Sequence, residues 1–253
     1  MTPTVEILIQ PFCLRFSLHD DEIVYMVAGS AEMQLDRMEL LMGIDPTRQG
    51  LFDSNLGFLP VATTALIRGD KTIVVDPGNH HVGFYGTLGL ALRRFDLAPG
   101  DVDLVVCTHS HHDHMASISS FRGTPLIIGA GEVEYARDVY GTEETDARLR
   151  AMGPLTEVPR DEELVICPGV TAISTPGHTP GHISVLVEAG PQRVAIAGDT
   201  AMTRGEYVRR HFSHWYTAEQ LAQLNHSVDR LQALRPTRVL FGHDRELRLP
   251  EGP

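Results

Sequence analysis

Cysteine is scarce in this chain: three residues, Cys13, Cys107 and Cys167, in 253. An odd number cannot all pair, and two of them sit in or beside apolar, strand-like runs, where a thiol serves as a small buried hydrophobe. A disulfide scaffold is therefore not expected, and a reducing cytoplasm is the simplest compartment. Long apolar runs are missing too, none approaching the ~20 residues that cross a bilayer. No basic segment precedes a hydrophobic one at the N-terminus, so neither a membrane span nor a signal peptide is expected. Positive charge is the third shortage. Lys and Arg number 21 against 33 Asp and Glu, a formal net charge of −12. Non-specific affinity for nucleic acid comes mainly from Lys and Arg, so a broad phosphate-binding surface is disfavoured, though a small local patch is not. Nothing in the composition divides the chain, and its length fits one domain over residues 1–253.

Histidine and aspartate, by contrast, are concentrated in one place. Thr108-His109-Ser110-His111-His112-Asp113-His114 follows the apolar run at 102–107. That run reads as a buried strand, which puts the cluster on the loop at its C-terminal end. Imidazole suits zinc and similar transition metals, and a carboxylate can bind a metal or hold its water. A solvated His-rich loop would need no partners, but five such groups in one turn serve no purely structural purpose. Three later segments add to them: Thr175-Pro176-Gly177-His178, Ala197-Gly198-Asp199-Thr200 and Phe241-Gly242-His243-Asp244.

The H-x-H-x-D-H spacing at His109, His111, Asp113 and His114, followed in order by His178, Asp199 and His243, clearly resembles the metallo-β-lactamase superfamily. The resemblance covers roughly residues 60 to 245. It implies an α/β fold, an αββα sandwich of two mixed β-sheets flanked by helices. It implies that His109, His111 and His178 hold one metal, that Asp113, His114 and His243 hold a second, and that Asp199 bridges both. The implied cofactors are two divalent transition-metal ions, zinc first, with iron or manganese as alternatives. A metal-bridging hydroxide would be the nucleophile, with Asp113 and Asp199 as the catalytic carboxylates and Asp113 as proton acceptor. Asp76 matches the aspartate that the superfamily places beneath its metals, where it could take the second ring N–H of a ligand histidine; capping a turn is the plainer alternative. His112 falls outside the spacing and is read as pointing off the cluster. His182 is read as bonding within its own loop, and His80 and His81 match no ligand position.

Within the superfamily, Asp199 separates the chain from β-lactamases proper, which generally lack that aspartate. The segments around His178 and His243 look most like the N-acyl-homoserine lactonase branch. There a tyrosine three residues beyond the bridging aspartate contacts the substrate carbonyl, whereas this chain has Met202. Tyr207, His211, His214, Trp215 and Tyr216 are candidates for a replacement donor. The expected function is hydrolysis of a lactone, ester or thioester with an apolar portion, without nucleic-acid or membrane partners; a homodimer is left open. The alternatives are phosphodiester or RNA cleavage, an oxidative iron enzyme, and a non-catalytic metal-binding protein, whose mark would be a degenerate ligand set.

The periodicity predicts strands at 5–9 and 23–27, and a helix through Met33, Leu35, Met38, Leu41 and Met42. Residues 43–60 follow as a loop, with 28–60 as a whole expected to form an insertion walling a substrate pocket. A hairpin over 61–68 and 72–76 turns at Gly69-Asp70. Helices are predicted at 87–96, 115–121 and 131–140, a strand at 126–128, and a polar excursion with a short helix at 141–162. Strands follow at 163–167, 170–174, 183–187, 193–197 and 238–241. A helix over 217–234 has Thr217 as its N-cap.

Overall fold

The computed structural model describes residues 1–19, 22–28, 56–78, 87–212 and 216–250. Its strands are β1 (Thr4–Ile9), β2 (Phe12–His19), β3 (Glu22–Ala28), β4 (Leu56–Val61), β5 (Thr64–Arg68), β6 (Thr72–Val75), β7 (Leu104–Val106) and β8 (Leu126–Gly129). They continue as β9 (Leu155–Val158), β10 (Glu163–Cys167), β11 (Val170–Ser174), β12 (Ile183–Ala189), β13 (Gln192–Gly198), β14 (Arg238–Phe241) and β15 (Leu247–Arg248). The helices are α1 (Thr87–Arg93), α2 (His112–Met115), α3 (Glu132–Tyr140), α4 (Thr142–Leu149), α5 (Arg204–Arg209) and α6 (Ala218–Ala233).

Two six-stranded mixed sheets form the body, in the orders β1-β5-β6-β7-β8-β9 and β10-β11-β12-β13-β14-β15, and β3-β2-β4 make a smaller third sheet. Strand alternation explains the layering. Ala65, Ile67, Ile73 and Val75 face Ala172, Val185, Val187 and Ile196 across the seam between the large sheets. Their neighbours Leu66 and Val74 point the other way, onto Leu88 and Leu92 of α1. On the far side, Ala195, Val239 and Phe241 pack against Val228 and Leu231 of α6. Strands buried on both faces need apolar residues at successive positions, which is why these runs are nearly continuous in the sequence. The αββα sandwich implied by the family resemblance is the observed architecture.

Pairing is parallel from β6 through β9 and again between β13 and β14. Ligands of open α/β sheets gather at the carboxyl ends of such strands. Asp76 follows β6, the histidine cluster follows β7, Asp199 follows β13 and His243 follows β14.

Several expectations are corrected. The strand expected over 61–68 is two strands, because Thr63 turns out of the ladder: its N–H donates to Gly242 O at 2.8 Å and its hydroxyl to Phe241 O at 2.6 Å. Residues 56–60 are not loop but part of β4, antiparallel to β2, a strand the sequence reading did not mark. The helix expected at 115–121 begins earlier and stops sooner, as α2. Ser117 N–H donates to Pro77 O instead of continuing the helix, and a 3-10 turn follows at Ile118–Ser120. The polar excursion ends in β9, which joins the first sheet beside β8. The helix expected through Met33–Met42, most of the 28–60 insertion, and His80, His81, His214 and Trp215 lie outside the described residues. Among the described residues no helix is long and apolar enough to cross a membrane.

Candidate metal centre

The cluster segment owes its shape to a change of backbone conformation at His111. That residue is extended and caps α2, so Asp113 and His114 ride on the helix's single turn while His109 and His111 stay on the loop. Asp76 lies directly beneath, in the left-handed region at φ 51°, which short polar side chains tolerate better than most. Its Oδ1 accepts the Thr108 N–H at 2.7 Å, and its Oδ2 accepts the Thr108 hydroxyl at 2.8 Å. His114 Nδ1 is 2.9 Å from the same Oδ2. The expected supporting role of Asp76 is thus visible as direct contacts.

All seven sequence-identified residues come together. His109 Nε2 and His178 Nε2 each lie 3.0 Å from His111 Nδ1. At the other end, His243 Nε2 is 3.4 Å from His114 Nε2 and 3.2 Å from Asp113 Oδ2. Asp199 stands between the two ends. Its Oδ2 is 3.2 Å from His178 Nε2 and 3.4 Å from His243 Nε2, and its Oδ1 is 3.4 Å from His114 Nε2. His109-His111-His178 and Asp113-His114-His243 each meet the spacing of a metal-binding group, and so does His109-His114-Asp199. Among the described residues, Asp199 Oδ1 and His243 Nδ1 are buried without a hydrogen-bond partner. Such orphaned atoms are costly and call for an explanation. For Asp199 Oδ1, a metal cation is the partner that fits. Gly242 is what lets Asp199 sit there: a Cβ on it would stand 1.9 Å from Asp199 Oδ1.

The charge state follows the same division. Burial keeps His109, His111 and His178 below the ordinary imidazole range, His178 at about 3. These three stay neutral, with lone pairs available as metal ligation requires. Burial also opposes charge on His114 and His243, but the surrounding carboxylates, Asp199 foremost, overcome it, raising His114 and bringing His243 to about 9. Burial would lift Asp113 and Asp199 too, yet the imidazoles beside them win. Asp113 is held to about 2 and Asp199 well below its usual range.

His112 behaves as the spacing suggested, whereas His182 also bonds well beyond its own loop. His112 turns away: Arg148 Nη2 donates to its Nδ1 at 2.9 Å, and its ring meets Tyr140 edge-on at 4.3 Å. His182 is buried, and its Nε2 accepts the Asp199 backbone N–H at 3.0 Å, so it orients the central aspartate. Substituting alanine should separate these roles. His111→Ala is expected to lose at least one of about two ions per chain, and His112→Ala to keep both, as measured by elemental analysis after desalting. Equal loss in both variants would overturn the assigned spacing.

The sequence reading passed over Glu132, Tyr135 and Glu206, and offered Tyr216 only as a donor to substrate. Glu132, fully buried, accepts Ser110 N–H at 2.9 Å and Ser110 Oγ–H at 2.8 Å on Oε2, and Gly181 N–H at 2.9 Å on Oε1. It ties the His109 loop to the His178 loop. Tyr135 and Tyr216 hydroxyls meet His111 Nε2 at 3.1 Å and His178 Nδ1 at 2.6 Å. Glu206 accepts Met202 N–H at 2.5 Å, and Met202 O accepts His243 N–H at 3.0 Å. Burial lifts Glu206 to about 8, so it remains largely protonated at neutral pH.

Of the candidate replacement donors, Tyr216 is engaged with His178, Tyr207 is buried with no partner for its hydroxyl among the described residues, and His211 is exposed. Met202 is itself buried, against Tyr216 and Leu224.

Residues 56–243 match the sequence model of the metallo-beta-lactamase superfamily. A Methanocaldococcus jannaschii protein named as a metallo-hydrolase is 34% identical over 151 residues, 55% of this chain and 67% of its own length. An N-acyl homoserine lactonase from a Bacillus species is 30% identical over 159 residues, 61% of each chain. The chain therefore spans less than two thirds of that lactonase. Among solved structures, an N-acyl homoserine lactone hydrolase with N-hexanoyl-L-homoserine at its metal centre is 20% identical, with a TM-score of 0.67 over 96% of this chain and 94% of that one. A metallo-beta-lactamase-type protein of Thermotoga maritima is 18% identical, with a TM-score of 0.64 over 98% of this chain and 100% of that one. At these identities the two structures show the shared fold.

Proposed function

The chain belongs to the metallo-β-lactamase superfamily, and we propose that it is a dinuclear, zinc-loaded hydrolase of lactones, esters or thioesters, built as one domain and working in the cytoplasm. The observation that carries this reading is the convergence of two ligand groups on one buried carboxylate, Asp199. His109, His111 and His178 would hold one ion, Asp113, His114 and His243 the other, and Asp199 both. When bound, such ions lower the pKa of water and polarise an acyl carbonyl.

The remaining chemistry falls to the chain's own groups. Asp113 Oδ2 is taken up by His243, while Oδ1 has no hydrogen-bond partner among the described residues. Asp113 is also less buried than Asp199. Its Oδ1 is therefore the atom that orients the attacking water and receives its proton. In the overall reaction, water's oxygen bonds to the acyl carbon, the C–O or C–S bond breaks, and the proton held by Asp113 passes to the leaving oxygen or sulfur. His182 and Asp76 hold the carboxylate and imidazoles in place meanwhile. The lactonase relatives support acyl over phosphoryl chemistry, as does the net charge of −12.

A substrate panel tests this directly. The zinc-loaded protein is expected to hydrolyse at least one lactone, thioester or activated ester, with the activity abolished by chelation and restored by metal. A clear preference for bis-(p-nitrophenyl) phosphate or short RNA, with no acyl hydrolysis, would instead make it a phosphodiesterase. Met202 cannot donate a hydrogen bond to a carbonyl, so simple homoserine lactones are expected to rank low in the panel.

A further inference from the structure

The outward nitrogens of the site histidines meet different chemistry at the two ends of the centre. His114 rests on a carboxylate, Asp76, at 2.9 Å, and Asp113 adds a second carboxylate to that end. Among the described residues, no carboxylate other than the shared Asp199 meets a histidine ring at the three-histidine end; Glu132 there holds backbone N–H groups. There His178 Nδ1 lies 2.6 Å from Tyr216 Oη, and His111 Nε2 3.1 Å from Tyr135 Oη. The inward atoms, His178 Nε2 and His111 Nδ1, are 3.0 Å apart. With an ion held on the inward lone pairs, the outer nitrogens would carry the protons and donate to the phenol oxygens. Neither tyrosine belongs to the loop it supports. Tyr135 reaches in from α3 and Tyr216 from the residue before the N-cap of α6.

We propose that Tyr216 and Tyr135 are positioning residues that set the ring orientations of His178 and His111, and that the three-histidine end they support releases its ion first. The proposal rests on the dinuclear metal reading above. Two observations lead to it. A divalent cation is held more strongly where a carboxylate of its own can bind it, and of the two three-residue groups only Asp113-His114-His243 contains one. The outward partners also differ: neutral phenols support His111 and His178, while a carboxylate, Asp76, supports His114 and raises its strength as a ligand. The tyrosines do not match the packing role of Tyr140, which meets His112, a residue turned off the centre.

The test uses wild type, Tyr216→Phe, Tyr135→Phe and Tyr207→Phe, each loaded with zinc and separately with cobalt. Chelator is titrated in, with metal content and the visible cobalt spectrum followed together. Wild type is expected to lose its ions in two steps. Tyr216→Phe and Tyr135→Phe should weaken the first-released ion by ~10–100-fold, the usual cost of removing a partner of a metal ligand. They should alter the spectrum of that cobalt alone and leave the retained ion unchanged. Tyr207, buried with no partner for its hydroxyl among the described residues, reports on packing, and its variant should match wild type. Release of both ions in one step, or an effect of Tyr207→Phe as large as that of Tyr216→Phe, would overturn the proposal while leaving the dinuclear reading intact. A wild type that takes up no ion overturns both.

Discussion

Asp113→Asn is expected to cut metal-dependent hydrolysis of the best acyl substrate by roughly 10²–10⁴-fold, the usual contribution of a positioned proton acceptor. Asparagine preserves size and keeps an oxygen to face His243 Nε2, now 3.2 Å from the carboxylate. What it cannot do is take a proton. The effect should therefore appear in kcat, with KM little changed, because the group acts in the transition state and not in ground-state binding. Metal content, measured on the same preparation, separates the two roles given to this residue. Full activity with full metal would remove Asp113 from the chemistry, and an emptied site would make it a ligand only.

Glu132→Ala should produce the largest loss of stability of any single change near the centre. One buried carboxylate satisfies the backbone N–H of Ser110 and of Gly181 and the Ser110 hydroxyl. Stripping it leaves two buried backbone donors unpaired, at ~1–3 kcal/mol each. For a domain of this size, a total of about 2–6 kcal/mol lowers Tm by roughly 5–20 °C. Glu134 on the same helix is exposed, with a 3.7 Å ion pair to Arg137. Glu134→Ala is therefore expected within ~0.5 kcal/mol of wild type. Because Glu132 joins the loops bearing His109 and His178, its alanine variant should also bind the ion of the three-histidine end more weakly. A Tm unchanged in thermal denaturation would show that the two loops are held by other contacts.

The seven candidate ligands were legible in the sequence because metal sites impose fixed local spacing, and four segments in the right order are hard to reach by accident. Of their supports, Asp76 was legible from the same motif, but Glu132 and the contact of Tyr216 with His178 were not. Glu132 bonds residues 22 and 49 positions away, and Tyr216 meets a histidine 38 positions away. Contacts of that kind leave no periodic mark. Buried strands such as β7, β8 and β13 announced themselves through unbroken apolar runs. β9, an edge strand reading Leu-Thr-Glu-Val with three exposed positions, looked like surface loop because it largely is surface. Thr63 shows a third kind of failure. Val61 to Arg68 has the composition of one continuous strand, and only the meeting with Gly242, far along the chain, breaks it.

The spread of the centre over both sheets also sets when it can exist during synthesis. The ribosome delivers His109 to His114 early, on the first sheet, but neither candidate group is closed by them: one waits for His178, the other for His243. The second set is completed only by His243, on the loop after β14. Until then β14 is not available to pair with β13, and Thr63 lacks the Gly242 carbonyl that fastens the first sheet to it. The centre is thus assembled in order, the three-histidine set closing with His178 and the other only once His243 has arrived.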